Sequence, residues 1–341
     1  MADKPPRTRV AAVHAASVFL DREASIAKAC DLIAEAARGG ARVIAFPETF
    51  IPGYPYWVWT HTPPTGATLF REYFLNSVEV PGPATEILGA ASRGAGAYVV
   101  MGVSERDAGT LYNTLLFFDD QGGLIGRHRK LQPTQAERMV WGRGDSRDLF
   151  VLSTPHGRLG GLICFEHTMD LARYALTTMG EQIHVAAWPA ISAMPHDPVS
   201  GIFDSISEAA AKHHALAGQT FVLNVQPCVD EDTVERLGFT GRPDMLRTGG
   251  GWSAVVGPHG HVIAGPTRDE ETILYADIDL ADIITMKQPC DSAGHYARPD
   301  VFFFGLRPPA GPPVPCEDER PAPTGSDQAI PPEEGGTWGA A

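Results

Sequence analysis

Short apolar runs of strand length alternate with amphipathic runs of helical length, and this alternation is the strongest constraint on the fold. Strands are predicted over residues 10–18, 42–46, 97–103, 158–163, 184–187, 221–225 and 273–278, and helices over 22–38, 85–93, 170–179 and 203–217. Hairpins are predicted over 111–128 and 252–263, where a turn containing glycine separates two apolar runs. Buried strands need helices on their outer faces, so the pattern predicts a mixed α/β fold.

The charge balance and the cysteines limit the partners and the compartment. The 341 residues include 27 Lys and Arg against 41 Asp and Glu, a net charge of −14. A nucleic-acid partner is not expected, because phosphate binding needs a concentrated basic surface. Five cysteines in so long a chain favour separate reduced thiols over a disulfide framework.

The apolar run near the N-terminus is predicted to be a core strand rather than a signal peptide, because His14 interrupts it. No apolar run approaches the roughly 20 residues that cross a bilayer. We therefore expect a cytoplasmic protein with no membrane partner.

The composition changes near residue 307. Residues 308–341 hold nine of the 29 prolines and a net charge of −5. Such a segment buries too little apolar surface to offset the entropy of ordering it. The sequence therefore predicts one folded domain over residues 1–306 and a flexible acidic tail over 307–341.

Three polar residues follow predicted strands: Glu48, Lys130 and Cys164. Ligand sites of open α/β sheets collect beyond the strand ends. A carboxylate, an ammonium group and a thiol that met there would form a base, an electrostatic stabiliser and a nucleophile. The residues alone leave other roles open, because Glu48 could cap a turn, Lys130 could be solvated and Cys164 could be an inert core thiol.

The residues around these three positions form sequence blocks that narrow the choice. The blocks are Phe46-Pro47-Glu48, Lys130-Leu131 with Pro133-Thr134, and Leu162-Ile163-Cys164-Phe165-Glu166. In this order they resemble the nitrilase branch of the carbon–nitrogen hydrolase superfamily, over residues 8 to about 305. The resemblance implies a four-layer αββα sandwich, no cofactor, and a homo-oligomer that is a dimer or a spiral filament.

The resemblance also assigns catalytic roles. It implies that Glu48 is the general base, Lys130 the stabiliser, Cys164 the nucleophile and Glu137 a supporting carboxylate that contacts the lysine. From the residues alone, Glu137 could equally cap a helix start. Nitrilases usually have Trp where this chain has Phe165. We expect a helix that begins just after Cys164 to favour the thiolate, together with Lys130.

The expected substrate wall consists of six residues. They are Tyr54, Trp57, Phe165, His167, Trp188 and Pro189. The first two, with Trp59, could instead be a packed aromatic cluster. Trp188 and Pro189 are similar to the nitrilase wall segment, and His167 resembles the arrangement in arylacetonitrilases and cyanide-degrading relatives.

The implied reaction converts an organic nitrile, aromatic or arylaliphatic, and water to a carboxylic acid and ammonia. It proceeds through a thioimidate and an acyl-enzyme on Cys164. An amidase or a cyanide-degrading member of the superfamily remains an alternative, as does a non-catalytic scaffold that forms filaments. Zinc is not expected, because Cys164 and His167 form a lone C-x-x-H. His213 and His214 are expected at the surface or an interface.

Overall fold

Two mixed β-sheets organise the chain in the computed structural model, which describes residues 5–195 and 200–307. The strands are β1 (Arg7–His14), β2 (Val43–Ala45), β3 (Val78–Glu79), β4 (Tyr98–Asp107), β5 (Thr110–Phe118), β6 (Leu124–Arg129), β7 (Leu152–Thr154), β8 (Gly157–Ile163), β9 (Ile183–Ala187), β10 (Phe221–Val225), β11 (Ser253–Val256), β12 (Val262–Thr267) and β13 (Thr272–Asp279). The α-helices are α1 (Arg22–Arg38), α2 (Trp57–Thr60), α3 (Pro63–Asn76), α4 (Pro83–Ala95), α5 (Asp170–Thr178), α6 (Ser200–Gly218), α7 (Glu231–Arg236) and α8 (Ala281–Lys287).

Each sheet has parallel strands at its centre and antiparallel strands at its edges. The first has the order β13-β1-β2-β4-β5-β6, with β3 paired to β4, and the second has the order β12-β11-β10-β9-β8-β7. Strand β1 aligns Val10 with Val43 of the parallel β2, and β8 aligns Leu159 with Ile183 of the parallel β9. The carboxyl ends of parallel neighbours lie at one edge of a sheet, and this edge is where ligand sites form.

Adjacent residues of one strand point into different hydrophobic cores, and this defines the layers of the fold. On β4, Val100 belongs to the core between the two sheets, together with Val185 of β9. Its neighbour Val99 points the other way and packs with Leu88 of α4 in the core beneath α1 and α4. On the second sheet, Leu162 of β8 packs against α5. The predicted helix–sheet–sheet–helix sandwich is therefore confirmed.

Helix α1 has the predicted bounds, and its end signals explain why. The Asp21 carboxylate accepts the Ala24 N–H at 2.9 Å and satisfies one free donor of the first turn. At the other end, Gly40 adopts a φ of 88°, which a glycine tolerates and other residues rarely do. The hairpin of β5 and β6 also lies where the sequence predicted it.

Strand β1 ends at His14, four residues before the predicted limit at 18. The Val18 N–H donates to Ser25 Oγ at 3.1 Å, and this hydroxyl donates to the Val18 carbonyl at 2.8 Å. The backbone of this segment therefore pairs with a side chain of α1 instead of a neighbouring strand. Helices α2, α3, α7 and α8 were not predicted.

The predicted tail over 307–341 lies outside the described residues, apart from Arg307. Within the described part of the chain, every helix is too short or too polar to cross a membrane.

Candidate active site

Three of the predicted site residues lie just beyond strand ends. Glu48 lies three residues after β2, while Lys130 and Cys164 directly follow β6 and β8. Strands β2 and β6 belong to one sheet and β8 to the other. The exposed fraction of each residue is 2% or less. The site is therefore assembled from both sheets and removed from bulk water.

The Lys130 ammonium group lies between two carboxylates. Its Nζ donates to Glu48 Oε1 at 2.9 Å and to Glu137 Oε2 at 2.7 Å. Burial by itself lowers the pKa of Lys130, but Glu137 and Glu48 together raise it well above its ordinary value. The lysine is therefore charged at neutral pH and can stabilise negative charge that develops beside it.

Glu48 has one satisfied oxygen and one free oxygen. Asn113 Nδ2 donates to Oε1 at 2.5 Å, whereas the buried Oε2 has no hydrogen-bond partner among the described residues. Burial raises the pKa of Glu48 to about 7, although Lys130 opposes this rise and Glu137 adds to it. A carboxylate with a pKa near neutrality and a free oxygen is suited to general-base work.

Glu137 makes both of the contacts that the sequence left open. Its Oε2 accepts the Thr134 N–H at 2.7 Å, which caps the 3₁₀ turn Gln135–Met139, and the same oxygen accepts from Lys130. Tyr54 donates its hydroxyl to Oε1 at 2.8 Å. The capping contact therefore holds the Glu137 carboxylate in place, and this carboxylate in turn positions Lys130.

Cys164 has a backbone conformation that non-glycine residues rarely adopt. Its φ is 54°, in the left-handed region. It begins the 3₁₀ turn Cys164–Thr168, and α5 begins only at Asp170. The helix predicted directly after Cys164 is therefore only a short 3₁₀ helix, and the α-helix begins six residues after Cys164. The Glu166 carboxylate accepts the Ile163 N–H at 2.7 Å, so a tight turn forms at the strand end instead.

The structure also does not favour the thiolate that the sequence predicted for Cys164. Burial raises the pKa of the Cys164 thiol well above its ordinary value; Lys130 opposes this rise, while Glu48 adds to it. Loss of solvent outweighs the single cation, and so the thiol is neutral at rest. The backbone N–H of Phe165 faces the sulfur and favours its charged form. A base must take the proton as the sulfur attacks.

A cavity of about 320 Å³ opens beside Cys164. Its wall is mostly apolar, and it also contains Glu137. Trp59, Phe165, Pro189, Ile191 and Phe203 supply large apolar surfaces, and Arg138 lies at the exposed side. Such a cavity suits a small organic molecule whose reactive end points towards the sulfur.

Three of the six predicted wall residues, Tyr54, Phe165 and Pro189, line this cavity, and the other three lie outside its lining. Trp57 packs edge-on against Tyr73 in the core, with ring centroids 5.0 Å apart.

The remaining two residues of the predicted wall, His167 and Trp188, stack on each other in the interior behind Cys164, with ring centroids 5.0 Å apart. The sequence pattern favoured Trp57, but Trp59 on the same short helix α2 faces the cavity. Its indole N–H donates to the Tyr54 hydroxyl at 3.1 Å.

Residues 9–288 match the sequence model of a known protein family, which is described as carbon–nitrogen hydrolase. The chain belongs to the carbon–nitrogen hydrolase family. The resemblance stated from the sequence blocks is thereby confirmed.

Curated relatives of this carbon–nitrogen hydrolase include several nitrilases. An aliphatic nitrilase of Rhodococcus rhodochrous is 42% identical over 87% of this chain and 82% of its own. A nitrilase of Bacillus sp. strain OxB-1 is 42% identical over 88% of both chains. Among solved structures, an amidase from Nesterenkonia sp. AN1 superimposes with a TM-score of 0.62 at 18% identity, over 85% of this chain and 97% of its own, which supports the fold.

Glu166 joins the segment of the nucleophile to the segment of the lysine, a role that was not predicted from the sequence. Besides the Ile163 N–H, its carboxylate accepts the Leu131 N–H at 2.7 Å and pairs with His128 Nε2 at 2.8 Å. Leu131 directly follows Lys130 in the chain. The position of Glu166, two residues after Cys164 at the end of an apolar block, was the signal that could have identified it.

His214 is buried within the chain, so its expected place at the surface or an interface is wrong, whereas His213 is exposed. Helix α6 turns His214 inward, where its Nε2 bonds to Glu181 Oε2 at 2.9 Å. Glu181, His184 and His214 form the one group in the described residues whose ligand atoms are close enough to hold a metal ion.

Proposed function

We propose that this carbon–nitrogen hydrolase is a nitrilase, which converts an organic nitrile and two waters to a carboxylic acid and ammonia. The observation that carries the proposal is the buried Lys130 between Glu48 and Glu137, beside a thiol that opens onto an apolar cavity. Relatives at about 40% identity over most of both chains are named nitrilases, and this supports the choice of a nitrile over other substrates.

In the first step, the Cys164 sulfur bonds to the nitrile carbon while Glu48 Oε2 accepts the thiol proton. One π pair of the nitrile moves to nitrogen, Glu48 passes the thiol proton on to this nitrogen, and a thioimidate forms with Glu48 ionised again. Lys130 and the Phe165 N–H face the developing negative charge. The raised pKa of Glu48, about 7, suits this proton transfer, because the carboxylate is partly ionised at neutral pH and still a competent acid when protonated.

Two waters complete the reaction. Glu48 takes a proton from the first water, which adds to the thioimidate carbon, and passes this proton to the nitrogen. The hydroxyl proton of the tetrahedral species then also moves to the nitrogen as the C–N bond breaks, so ammonia leaves and a thioester remains. The second water cleaves the C–S bond, releases the carboxylic acid and restores the thiol. Oxygen from each water is accounted for, and no oxidant or cofactor enters the balance.

We propose an aromatic or arylaliphatic nitrile as the preferred substrate. The volume of about 320 Å³ lies near the lower end of ligand pockets, which span roughly 300–1,000 Å³. Trp59, Phe165 and Phe203 offer three aromatic surfaces around this space. Aromatic rings pack against one another in edge-to-face or offset arrangements, so a phenyl group gains more than a chain of equal area.

From the family resemblance, we also propose that the chain forms a homo-oligomer, a dimer or a spiral filament, and acts in the cytoplasm. Sedimentation and negative-stain electron microscopy of the purified protein test the assembly. A monomer at all concentrations contradicts it.

The test of function is ammonia release from benzonitrile, phenylacetonitrile and a short aliphatic nitrile, each beside its matching amide. We expect turnover of the first two nitriles and none of the amides. Cys164→Ala abolishes turnover, while Cys228→Ser, which removes another buried thiol, retains it. Hydrolysis of amides alone identifies an amidase, and activity in Cys164→Ala ends the proposal.

A further inference from the structure

A chain of buried hydrogen bonds runs from the nucleophile into the interior. His167 Nδ1 lies 2.7 Å from the Cys164 carbonyl oxygen, and His167 Nε2 lies 2.8 Å from His184 Nε2. His184 Nδ1 lies 2.8 Å from Glu181 Oε1, and His214 Nε2 lies 2.9 Å from Glu181 Oε2. All four side chains are at most 4% exposed. They come from the 3₁₀ turn after the strand, from β9, from the segment before β9 and from α6.

The four contacts need one proton more than neutral imidazoles can supply. Each contact requires one proton, and three neutral imidazoles provide three, while an ionised carboxylate provides none. The Cys164 carbonyl can only accept, so His167 Nδ1 must carry a proton. Its Nε2 is then the acceptor if His167 is neutral, and His184 must donate through both of its nitrogens. This hydrogen-bond chain therefore holds one extra proton, which its members share.

The electrostatics disfavour this extra proton on His167, His214 and Glu181. Burial and the neighbouring His184 lower the pKa of His167 well below its ordinary value, and lower that of His214 to about 4. Burial alone raises the pKa of Glu181, but His184 and His214 lower it to about 2. Arg173 on α5 is a further charged group that disfavours protonation of His167 and His214. With an ionised Glu181, two donor nitrogens on His184 satisfy every contact.

We propose, building on the nitrilase function above, that His167, His184 and Glu181 are positioning residues of the reaction. A donor nitrogen of His184 at His167 Nε2 keeps the His167 proton on Nδ1, where it donates to the Cys164 carbonyl and fixes the peptide between Cys164 and Phe165. The N–H of this same peptide faces the sulfur. A hydrogen bond accepted by a peptide carbonyl polarises its N–H into a stronger donor, so the chain strengthens the group that faces the developing charge.

The same carboxylate and imidazoles have the chemistry of a metal site, and the distances favour the proton chain. Glu181 oxygens lie 2.8 and 2.9 Å from His184 Nδ1 and His214 Nε2. Two ligands of a tetrahedral zinc ion, each about 2.1 Å from the metal, stand roughly 3.4 Å apart. The contacts are those of hydrogen bonds.

The test compares Glu181→Gln and His184→Leu in the full-length protein. In Glu181→Gln, the amide nitrogen can donate to His184 Nδ1 and the amide oxygen can accept from His214, so all four contacts form with neutral imidazoles. In His184→Leu, no side chain donates to His167 Nε2, so the hydrogen-bond chain is interrupted next to His167. We expect kcat to fall about tenfold to hundredfold in His184→Leu with KM nearly unchanged, and Glu181→Gln to retain most of the wild-type kcat. Equal kcat in all three proteins overturns the proposal.

A second substitution in the hydrogen-bond chain keeps the test decisive if the leucine variant does not fold. His167→Phe retains the ring that stacks on Trp188 and removes the donor to Cys164, so we expect the same loss of kcat. The matched control is His14→Gln, since His14 is equally buried and hydrogen-bonded but bonds to Gln226 and Ser253. We expect it to lower the unfolding temperature and keep kcat. Full kcat in His167→Phe, or a loss confined to folding stability in both, refutes the proposal.

Two further arms separate this proposal from its neighbours. Dialysis against EDTA should leave the wild-type kcat unchanged, and a loss that zinc restores replaces the proton chain with a metal site. If the wild-type protein hydrolyses amides and not nitriles, the nitrilase proposal fails, and the same kcat comparison is made on the amide. The kcat comparison therefore tests the positioning role independently of the nitrilase proposal.

Discussion

Replacing Asn113 with leucine tests whether Glu48 is the base. Asn113 Nδ2 donates to Glu48 Oε1 at 2.5 Å, and its own Oδ1 is buried without a partner among the residues described. Leucine has a similar volume, so Asn113→Leu removes the donor and the orphaned oxygen together. The remaining hydrogen bond to Oε1, from Lys130, is unaffected.

The magnitude follows from the value of one hydrogen bond to a carboxylate. Such a bond contributes about 1.5–3 kcal/mol, and one pKa unit corresponds to about 1.4 kcal/mol. Because the bond favours the ionised form, its loss raises the pKa of Glu48 from about 7 to about 8–9. The base works only when ionised, so activity is present above this pKa and falls as the pH drops through it. At pH 7, kcat/KM should fall about five- to fiftyfold.

The assay is kcat/KM for ammonia release between pH 5 and 10. We expect the acid limb of Asn113→Leu to lie one to two units above that of the wild type, while the alkaline plateau is approached in both. Asn224→Leu is the matched control, because Asn224 is also buried, donates to the Trp252 carbonyl at 2.8 Å and has an unpartnered Oδ1 within the described residues. An unmoved acid limb in Asn113→Leu refutes Glu48 as the titrating base.

Three further substitutions probe the supports of the site. Gly102→Ala places a Cβ 2.0 Å from the Pro47 carbonyl oxygen, so Glu48, the next residue, must move. We expect kcat to fall at least tenfold and the melting temperature to drop. The control is Gly94→Ala, whose added Cβ meets nothing within 4 Å; it should keep kcat and gain up to about 1 kcal/mol of stability. Glu166→Gln loses at least one accepted backbone N–H, so denaturant unfolding should show a loss of about 2–3 kcal/mol and kcat should fall; unchanged stability contradicts the buried contacts. Trp59→Ala should raise KM for phenylacetonitrile more than for a short aliphatic nitrile, and equal changes in both argue against an aromatic wall.

Local signals predicted the elements whose ends are set by neighbouring residues. Helix α1 was bounded correctly because Asp21 and the glycines after Arg38 act within one turn. The hairpin of β5 and β6 was found because its turn and its alternation are both local. Strand β1 was extended too far because Ser25, on the next helix, bonds to the backbone of Val18, a contact that an apolar pattern does not contain.

The candidate site shows a similar division. Glu48, Lys130 and Cys164 were selected because each follows a strand-like run, and the structure brings Glu48 and Lys130 into contact. The inward turn of His214 and its bond to Glu181 depend on how α6 packs against the second sheet. A spacing of 33 residues between two polar side chains gives no periodic signal, so this pairing could not be read from the sequence.

The thiol shows why a local rule gave the wrong charge. The sequence suggested a nearby helix end and a cation, both of which favour a thiolate. Depth of burial decides the outcome, because it raises the pKa of Cys164 and is the largest effect on it. The same burial raises the pKa of Glu48, so the proton rests on sulfur and its acceptor is poised near neutrality. Two carboxylates around one lysine therefore have separate uses: Glu137 helps to keep Lys130 charged and adds to the rise in the pKa of Glu48, which makes Glu48 a base matched to neutral pH.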